Sequence, residues 1–406
     1  MGQPDIIFGD HDDKTILQLQ DVASRAERAA LMADGHLGYI MPIGGVAAFK
    51  DKVSVTGVGF DIACGNAAIR TDLKRDELED LSSIADEIHE QLSFGIGRKN
   101  TLPDAPVAHP LFESAAWDAL PANARGSLKE KARSQLGTIG SGNHYVDIFF
   151  DENDDVWVGV HFGSRGFGHT VASGFLALDQ GEQWGKRVPE QEALLNLDSD
   201  LGARYWALME LAGEYAYAGR EWVARKVVEI LDAQELELVH NHHNFAWREE
   251  HGPEGAPEEY IVVRKGATPA WPGQVSFIGG SMGDDSFIVR GVEDAEPDVR
   301  DRQERAMFST IHGAGRVMSR TKAAGRRRWK TGEVIKPGVI SDKMMHDWLT
   351  EKNVILRGGG LDESPHVYRR LEAVLDQQGG TIETLHRLTP LIVVMAGANE
   401  FDPYKD

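Results

Sequence analysis

The chain carries one cysteine, Cys64, in 406 residues, so no disulfide can form within it. A lone thiol predicts a reducing compartment and leaves Cys64 as either a small packed hydrophobe or a chemical ligand. Positive charge is also scarce: 43 Lys and Arg stand against 64 Asp and Glu, a formal net charge of −21. Such a field repels a phosphate backbone, which excludes casual nucleic-acid binding and requires any RNA to meet a local basic patch. No apolar run approaches the roughly 20 residues of a membrane helix, and no basic stretch followed by an apolar one opens the chain. A cytoplasmic location without membrane contact is expected. Phosphate loops ending in Gly-Lys-Ser or Gly-Lys-Thr and dinucleotide fingerprints are missing from their usual contexts, so any nucleotide must be held by another architecture.

What is present is enough apolar side chain, 41%, for a substantial core. No low-complexity linker, repeat or break in composition marks a boundary, and one domain over 1–406 is the simplest expectation. Helical spacing is clearest over 201–231, with shorter helices predicted over 76–92 and 367–375. Runs rich in β-branched residues predict strands over 52–62, 156–161, 236–240, 260–264, 286–290 and 391–395. Helices and strands mix without a βαβ rhythm, which predicts an α+β fold, a complex mixture of helices and sheets.

Several predicted strands end in polar, glycine-containing clusters: 57–65 around Asp61 and Cys64, Gly140-Ser141-Gly142-Asn143-His144, His161 to Gly166, His240 to Asn244, and His312 to Arg316. Glycine lets backbone approach a ligand, and each cluster offers a metal ligand or an anion binder beside it. Asp61, Cys64, His144, His161 and His243 supply one carboxylate, one thiolate and three imidazoles, a set that could hold two divalent ions if the thiolate bridges them. The segment 277–283, followed by Ser286, offers backbone N–H groups and hydroxyls for a phosphate or sugar. Arg316, Arg320, Lys322, Arg326, Arg327, Arg328 and Lys330 form a basic run with no acid inside it, the best place for RNA phosphates.

Read together, these blocks resemble the RtcB family of RNA-splicing and repair ligases. The likeness runs from Asp34 to Gly397 through Asp34-Gly35-His36-Leu37-Gly38, 59–65, 136–144, 161–166, His243-Asn244, Arg264-Lys265-Gly266-Ala267, 280–283 and 312–320. It implies a mixed fold with central sheets flanked by helices, and a ligase joining RNA with a 2′,3′-cyclic phosphate or 3′-phosphate to RNA with a 5′-hydroxyl. GTP and two Mn²⁺ ions would be its cofactors, and an activating protein its further partner. By resemblance Cys64 bridges the ions, His144 and His161 complete one site, and Asp61 and His243 complete the other. His312 is the implied nucleophile toward GTP, with Asp34 orienting it and Arg165 contacting an RNA phosphate. Asn143, Asp147, His243, Asn244, Gly280, Ser281, Met282, Ser286, His312, Gly313, Ala314, Gly315, Tyr368 and Lys405 would contact the guanylate.

The chain departs from the family pattern in three places. A C-terminal Lys-Gly pair is replaced by Met395-Ala396-Gly397 and a run-on to Lys405, the acid after Gly-Asn-His is Asp147 rather than Glu, and Gly279 stands where proline is usual. Readings from other classes are a two-metal phosphoesterase, which needs no nucleophilic histidine, and an RNA-binding relative that does not ligate.

Overall fold

The computed structural model describes residues 2–253, 255–327 and 334–397. Its centre is a large sheet in the order Val275–Ile278, Ser286–Gly291, Ile382–Met395, Tyr145–Phe150, Asp155–Phe162, Gly65–Lys74 and Glu235–His242, every neighbour antiparallel. Ile355–Arg357 adds to it in parallel against Ile382–Met395. The sheet curls until its two ends meet. The backbone N–H of Phe277 donates to Asn241 Oδ1 at 3.0 Å, and Asn66 Nδ2 donates to the carbonyl of Phe277 at 2.8 Å. Inside the curl Ala68, Phe149, Trp157, Val239, Phe277, Ile288 and Leu388 pack as one apolar cluster. Alternation along each strand sends these residues inward.

A smaller sheet runs Ile6–Ile7, Arg28–His36, Ile43–Phe49, Glu258–Lys265 and Asn244–His251. The chain leaves the large sheet at His242 and enters the small one at Asn244, so His243 sits at the joint. The fold is thus a mixed α+β one, as the lack of βαβ rhythm predicts.

The predicted long helix forms as Asp200–Ile230, with Ser199 capping it by accepting from the Gly202 N–H. Its buried residues recur at helical spacing: Val223 and Val227 pack against the Gly65–Lys74 and Asp155–Phe162 strands, while Leu208, Met209, Ala212 and Ala216 pack in a separate cluster with Phe167, Val171 and Phe175. The strand expected over 52–62 stops at Ser54. There the Ser54 hydroxyl accepts from the Gly57 N–H at 2.8 Å and starts the short helix Val55–Val58, so local capping overrides β-branched composition. The helix expected over 367–375 begins only at Leu371, after a 3₁₀ turn at Pro365–Val367, and that over 76–92 begins at Leu81, capped by Asp80. The basic run does not form one solvent-facing patch. Arg316 and Arg320 turn onto Glu363 and Asp362, acids from a distant part of the chain, while Lys322 and Arg326 are exposed. Arg328 and Lys330 lie outside the described residues.

Candidate active site

Strand register brings the clusters together. Gly65 pairs with both Phe162 and His242, Asn66 with His161, and Tyr145 with His161. Cys64, His144, His161 and His243, each at or next to one of these positions, therefore gather at one end of the large sheet. The ligand atoms form two groups sharing the cysteine, Cys64–His161–His243 and Asp61–Cys64–His144, with every atom of a group within 4.8 Å of the others. This division differs from the one the resemblance implies: His144 stands with Asp61, its Nε2 3.0 Å from Asp61 Oδ2, while His243 stands with His161, their rings stacked 5.2 Å apart. The reason is topological, since His144 and Asp61 approach from the loops before their strands, while His161 stands near the end of its strand and His243 directly after its own.

The surroundings suit divalent ions. Cys64 Sγ lies 3.7 Å from His144 Nε2 and 3.6 Å from His161 Nε2. Burial pushes the thiol up, with the Asp61 charge adding to it, and burial pushes the His161 and His243 imidazoles down, leaving them neutral. Burial alone would raise Asp61, but its bond to His144 and the charges of His144 and Arg165 outweigh that and hold it below the usual carboxylate range. His243 Nδ1 is buried without a hydrogen-bond partner. A thiol that a bound metal would deprotonate, a carboxylate and neutral imidazoles with an orphaned buried nitrogen are what a borderline cation satisfies.

Outer partners fix the rings. His161 Nδ1 donates to Asn66 Oδ1 at 2.6 Å, and the same Asn66 amide closes the sheet onto Phe277. His144 Nδ1 lies 3.1 Å from both the Ile139 carbonyl and the Arg165 guanidinium. Arg165 fits because residue 140 is glycine at φ +94°, where a Cβ would lie 1.7 Å from the guanidinium. Asn66→Ala should therefore weaken divalent-ion binding roughly 10–100-fold, as loss of a ligand's outer partner commonly does. Ion titration of the purified variant checks this, and wild-type affinity would mean that His161 is oriented without Asn66.

On the small-sheet side, His312 follows the strand Ser309–Ile311. Its Nδ1 is 2.6 Å from Oδ2 of the fully buried Asp34, and the same oxygen accepts from the backbone N–H groups of His312 and Gly313 at 3.0 and 3.3 Å. Nδ1 is thus occupied, and Nε2 is the nitrogen left for chemistry. The His312 ring sits 4.9 Å from that of His243, so the histidine and the cation groups share one wall.

Both open onto a cavity of about 270 Å³. Of the residues expected at the nucleotide, Asn143, Asp147, His243, Asn244, Gly280, Ser281, Met282, His312, Gly313, Ala314, Gly315 and Tyr368 line it. Ser286 acts behind the lining, its hydroxyl accepting from the Gly280 N–H at 2.8 Å. Asp34, His144 and Arg165 also stand behind the wall, and Lys405 lies outside the described residues. The Tyr368 hydroxyl donates to Glu363 and accepts from Arg316 at 2.9 Å, and Arg316 reaches the Asp362 carbonyl at 2.8 Å. Where proline is usual, Gly279 leaves room for the Tyr145 hydroxyl, which a Cβ there would meet at 2.2 Å.

Tyr145 Oη, Asp147 Oδ1 and Ser281 Oγ are buried without partners. All three residues line the cavity beside Val393 and Met395, so polar demand is unmet where a ligand would bind. Burial pushes the Asp147 carboxyl well above its ordinary range. The folded chain then keeps a proton that the unfolded chain has lost above about pH 4, so this group makes stability fall as pH rises toward the folded value, by up to about 1.4 kcal/mol per pH unit. Denaturant unfolding followed upward from about pH 4 should show Asp147→Asn losing less stability with rising pH than wild type; parallel losses would refute the buried neutral acid.

Sequence reading missed Asn66, Arg220, Tyr145 and Glu363. Asn66 was findable, since it lies two residues past Cys64 at the start of a strand and so shares its face. Glu363 carried no local signal.

Two ligand groups that could hold cations, beside an acid-anchored histidine, form a layout suited to phosphoryl transfer. The sequence matches the family model for tRNA-splicing ligase RtcB over residues 16–396. It is 30% identical to a tRNA-splicing ligase RtcB of Thermococcus kodakarensis, covering 93% of this chain and 90% of that protein. It is 33% identical to that of Archaeoglobus fulgidus over 89% and 86% of the two chains, and 31% identical to an RNA-splicing ligase RtcB of Escherichia coli over 90% and 89%. The chain belongs to the RtcB family.

Proposed function

We propose that this protein is a GTP- and Mn²⁺-dependent RNA ligase that joins RNA ending in a 2′,3′-cyclic phosphate or 3′-phosphate to RNA beginning with a 5′-hydroxyl, through guanylate carried on His312. The observation that carries it is the pairing of His312 Nδ1 with buried Asp34 beside the shared-cysteine cluster. A carboxylate that accepts the hydrogen bond from Nδ1–H fixes the tautomer whose Nε2 lone pair is free, as a nucleophilic imidazole requires. His312 Nε2 attacks the α-phosphorus of GTP, a P–N bond forms, and the bond to the departing pyrophosphate breaks. Opened by water if cyclic, the RNA 3′-phosphate then attacks the same phosphorus, releasing His312 and leaving guanylate on the RNA end. The 5′-hydroxyl of the second RNA attacks the RNA phosphorus, and GMP leaves with the bonding electrons.

Divalent ions held by Asp61, Cys64, His144, His161 and His243 would neutralise phosphate charge beside His312. Asn143, Ser281 and the backbone of 280–282 and 313–315 would cradle the nucleotide, with Ser286 shaping the loop. Asp147, Tyr145 and Met395 also line the cavity and would be available to contact the base. Arg316 and Arg320 are held by Glu363 and Asp362 at the same cavity, and they are the described members of the basic run in place to meet RNA phosphates. A cytoplasmic setting and an activating protein partner complete the reading.

Incubation with Mn²⁺, GTP, a cyclic-phosphate RNA and a 5′-hydroxyl RNA tests it. Joined product is expected from these ends and not from 3′-hydroxyl and 5′-phosphate ends. Release of the terminal phosphate without joining would favour a phosphoesterase instead.

A further inference from the structure

The long helix carries one charged residue on its buried stripe. Arg220 falls between Ala216 and Val223 at helical spacing and is fully buried. An apolar side chain of that volume would fill the helix–sheet interface without the cost of burying a charge. Its guanidinium instead makes four hydrogen bonds that reach three separate strand ends. One terminal nitrogen donates to the carbonyls of Ala63 at 2.9 Å and Phe162 at 2.6 Å; the other donates to His242 Nδ1 at 2.9 Å, and Nε donates to His240 Nε2 at 2.9 Å. Ala63 precedes Cys64, Phe162 follows His161, and His242 precedes His243. The three residues next to these contacts are the members of one candidate cation group.

The acceptors are themselves braced. The His242 ring stacks on Tyr217 at 3.8 Å, the His240 ring meets Tyr217 edge-on at 4.1 Å, and His240 Nδ1 lies 3.5 Å from Glu221. The backbone N–H of His243 donates to the Cys64 carbonyl at 2.8 Å, joining two of the ends directly. Gly65 lets the strands close up beside the fork, since a Cβ there would lie 2.2 Å from the Asn241 carbonyl oxygen and 3.1 Å from the Arg220 guanidinium.

We propose that Arg220 is a positioning residue that sets the spacing of Cys64, His161 and His243 by tying together the three strand ends that carry them. This rests on the two-cation reading of the site. A planar fork with several donors can span three chain segments, which a lysine ammonium on a flexible stem cannot reproduce.

Equilibrium dialysis of the metal-free full chain against Co²⁺, with the cobalt–thiolate charge-transfer band as a second readout, tests the proposal in wild type, Arg220→Lys and Arg264→Lys. Arg264 is an equally buried arginine in the small sheet, bonded to Glu249, Ser309 and the Met307 carbonyl, and serves as the control for burial alone. Arg220→Lys should weaken Co²⁺ binding roughly 10–100-fold and diminish the thiolate band, the range seen when outer-shell partners are lost. Arg264→Lys should lower the thermal midpoint while leaving affinity and band at wild-type values. His242→Phe, which keeps the ring against Tyr217 and removes one acceptor, should show a smaller loss of affinity and decides the matter if Arg220→Lys does not fold. Wild-type Co²⁺ affinity in folded Arg220→Lys, or in His242→Phe where that alone folds, overturns the proposal. An equal loss in Arg264→Lys overturns it too. Wild-type protein that binds no Co²⁺ overturns the cation reading and the proposal with it, a result distinct from either.

Discussion

Cys64→Ala is expected to abolish binding of both divalent ions and to reduce RNA joining by at least about three orders of magnitude, whereas His243→Ala and His144→Ala should each chiefly weaken one ion. Cys64 belongs to both ligand groups, while each of those histidines belongs to one. Removing the thiolate takes a ligand from two sites at once, and each ion loses electrostatic stabilisation that typically contributes several kcal/mol at a phosphoryl centre. Stoichiometry by equilibrium dialysis reads the difference directly. One ion retained at full strength in Cys64→Ala would show that the two groups are not bridged. Cys64→Ser should fall nearer to Cys64→Ala than to wild type, because a neutral hydroxyl is a poor substitute for a soft thiolate.

His312→Ala should remove joining altogether within the sensitivity of a gel assay, and Asp34→Asn should reduce it roughly 10²–10⁴-fold, by analogy with the loss when an imidazole is held in the wrong tautomer. The geometry gives the reason. Asp34 Oδ2 accepts three N–H bonds, from the His312 ring and two backbone groups, while Oδ1 is buried without a partner, so an asparagine could keep the three bonds on its amide oxygen but would remove the negative charge beside the ring and bury an unpartnered NH₂. Asp34→Asn should still bind divalent ions as wild type does, because Asp34 belongs to neither ligand group. Loss of ion binding in that variant would show that its effect runs through the cluster and not through His312.

How much of this was legible in sequence differs by residue. The ligand types and their clustering at strand ends were readable, because glycine beside His, Asp and Cys after β-branched runs is a local pattern. Their partition was not: His144 with Asp61 and His161 with His243 follows from strand order and register, which depend on residues far apart in the chain. The stop at Ser54 was signalled by a capping serine that β-branched Val53, Val55 and Thr56 obscured. The long helix was clear from its spacing, and Arg220 stood out only once its stripe was known to be buried. Arg316 and Arg320 looked like an open basic patch because Asp362 and Glu363, which take them up, lie more than 40 residues on.

The most direct measurement is labelling of wild-type protein and His312→Ala with GTP carrying the label on its α-phosphate, in Mn²⁺, followed by denaturing electrophoresis, with α-labelled ATP in parallel. A labelled wild-type band that is acid-labile, as a phosphoramidate is, absent from His312→Ala and obtained from GTP is the expected result. No covalent label from either nucleotide would contradict guanylate transfer through His312, and label from ATP alone would keep the histidine and overturn the assignment of the base.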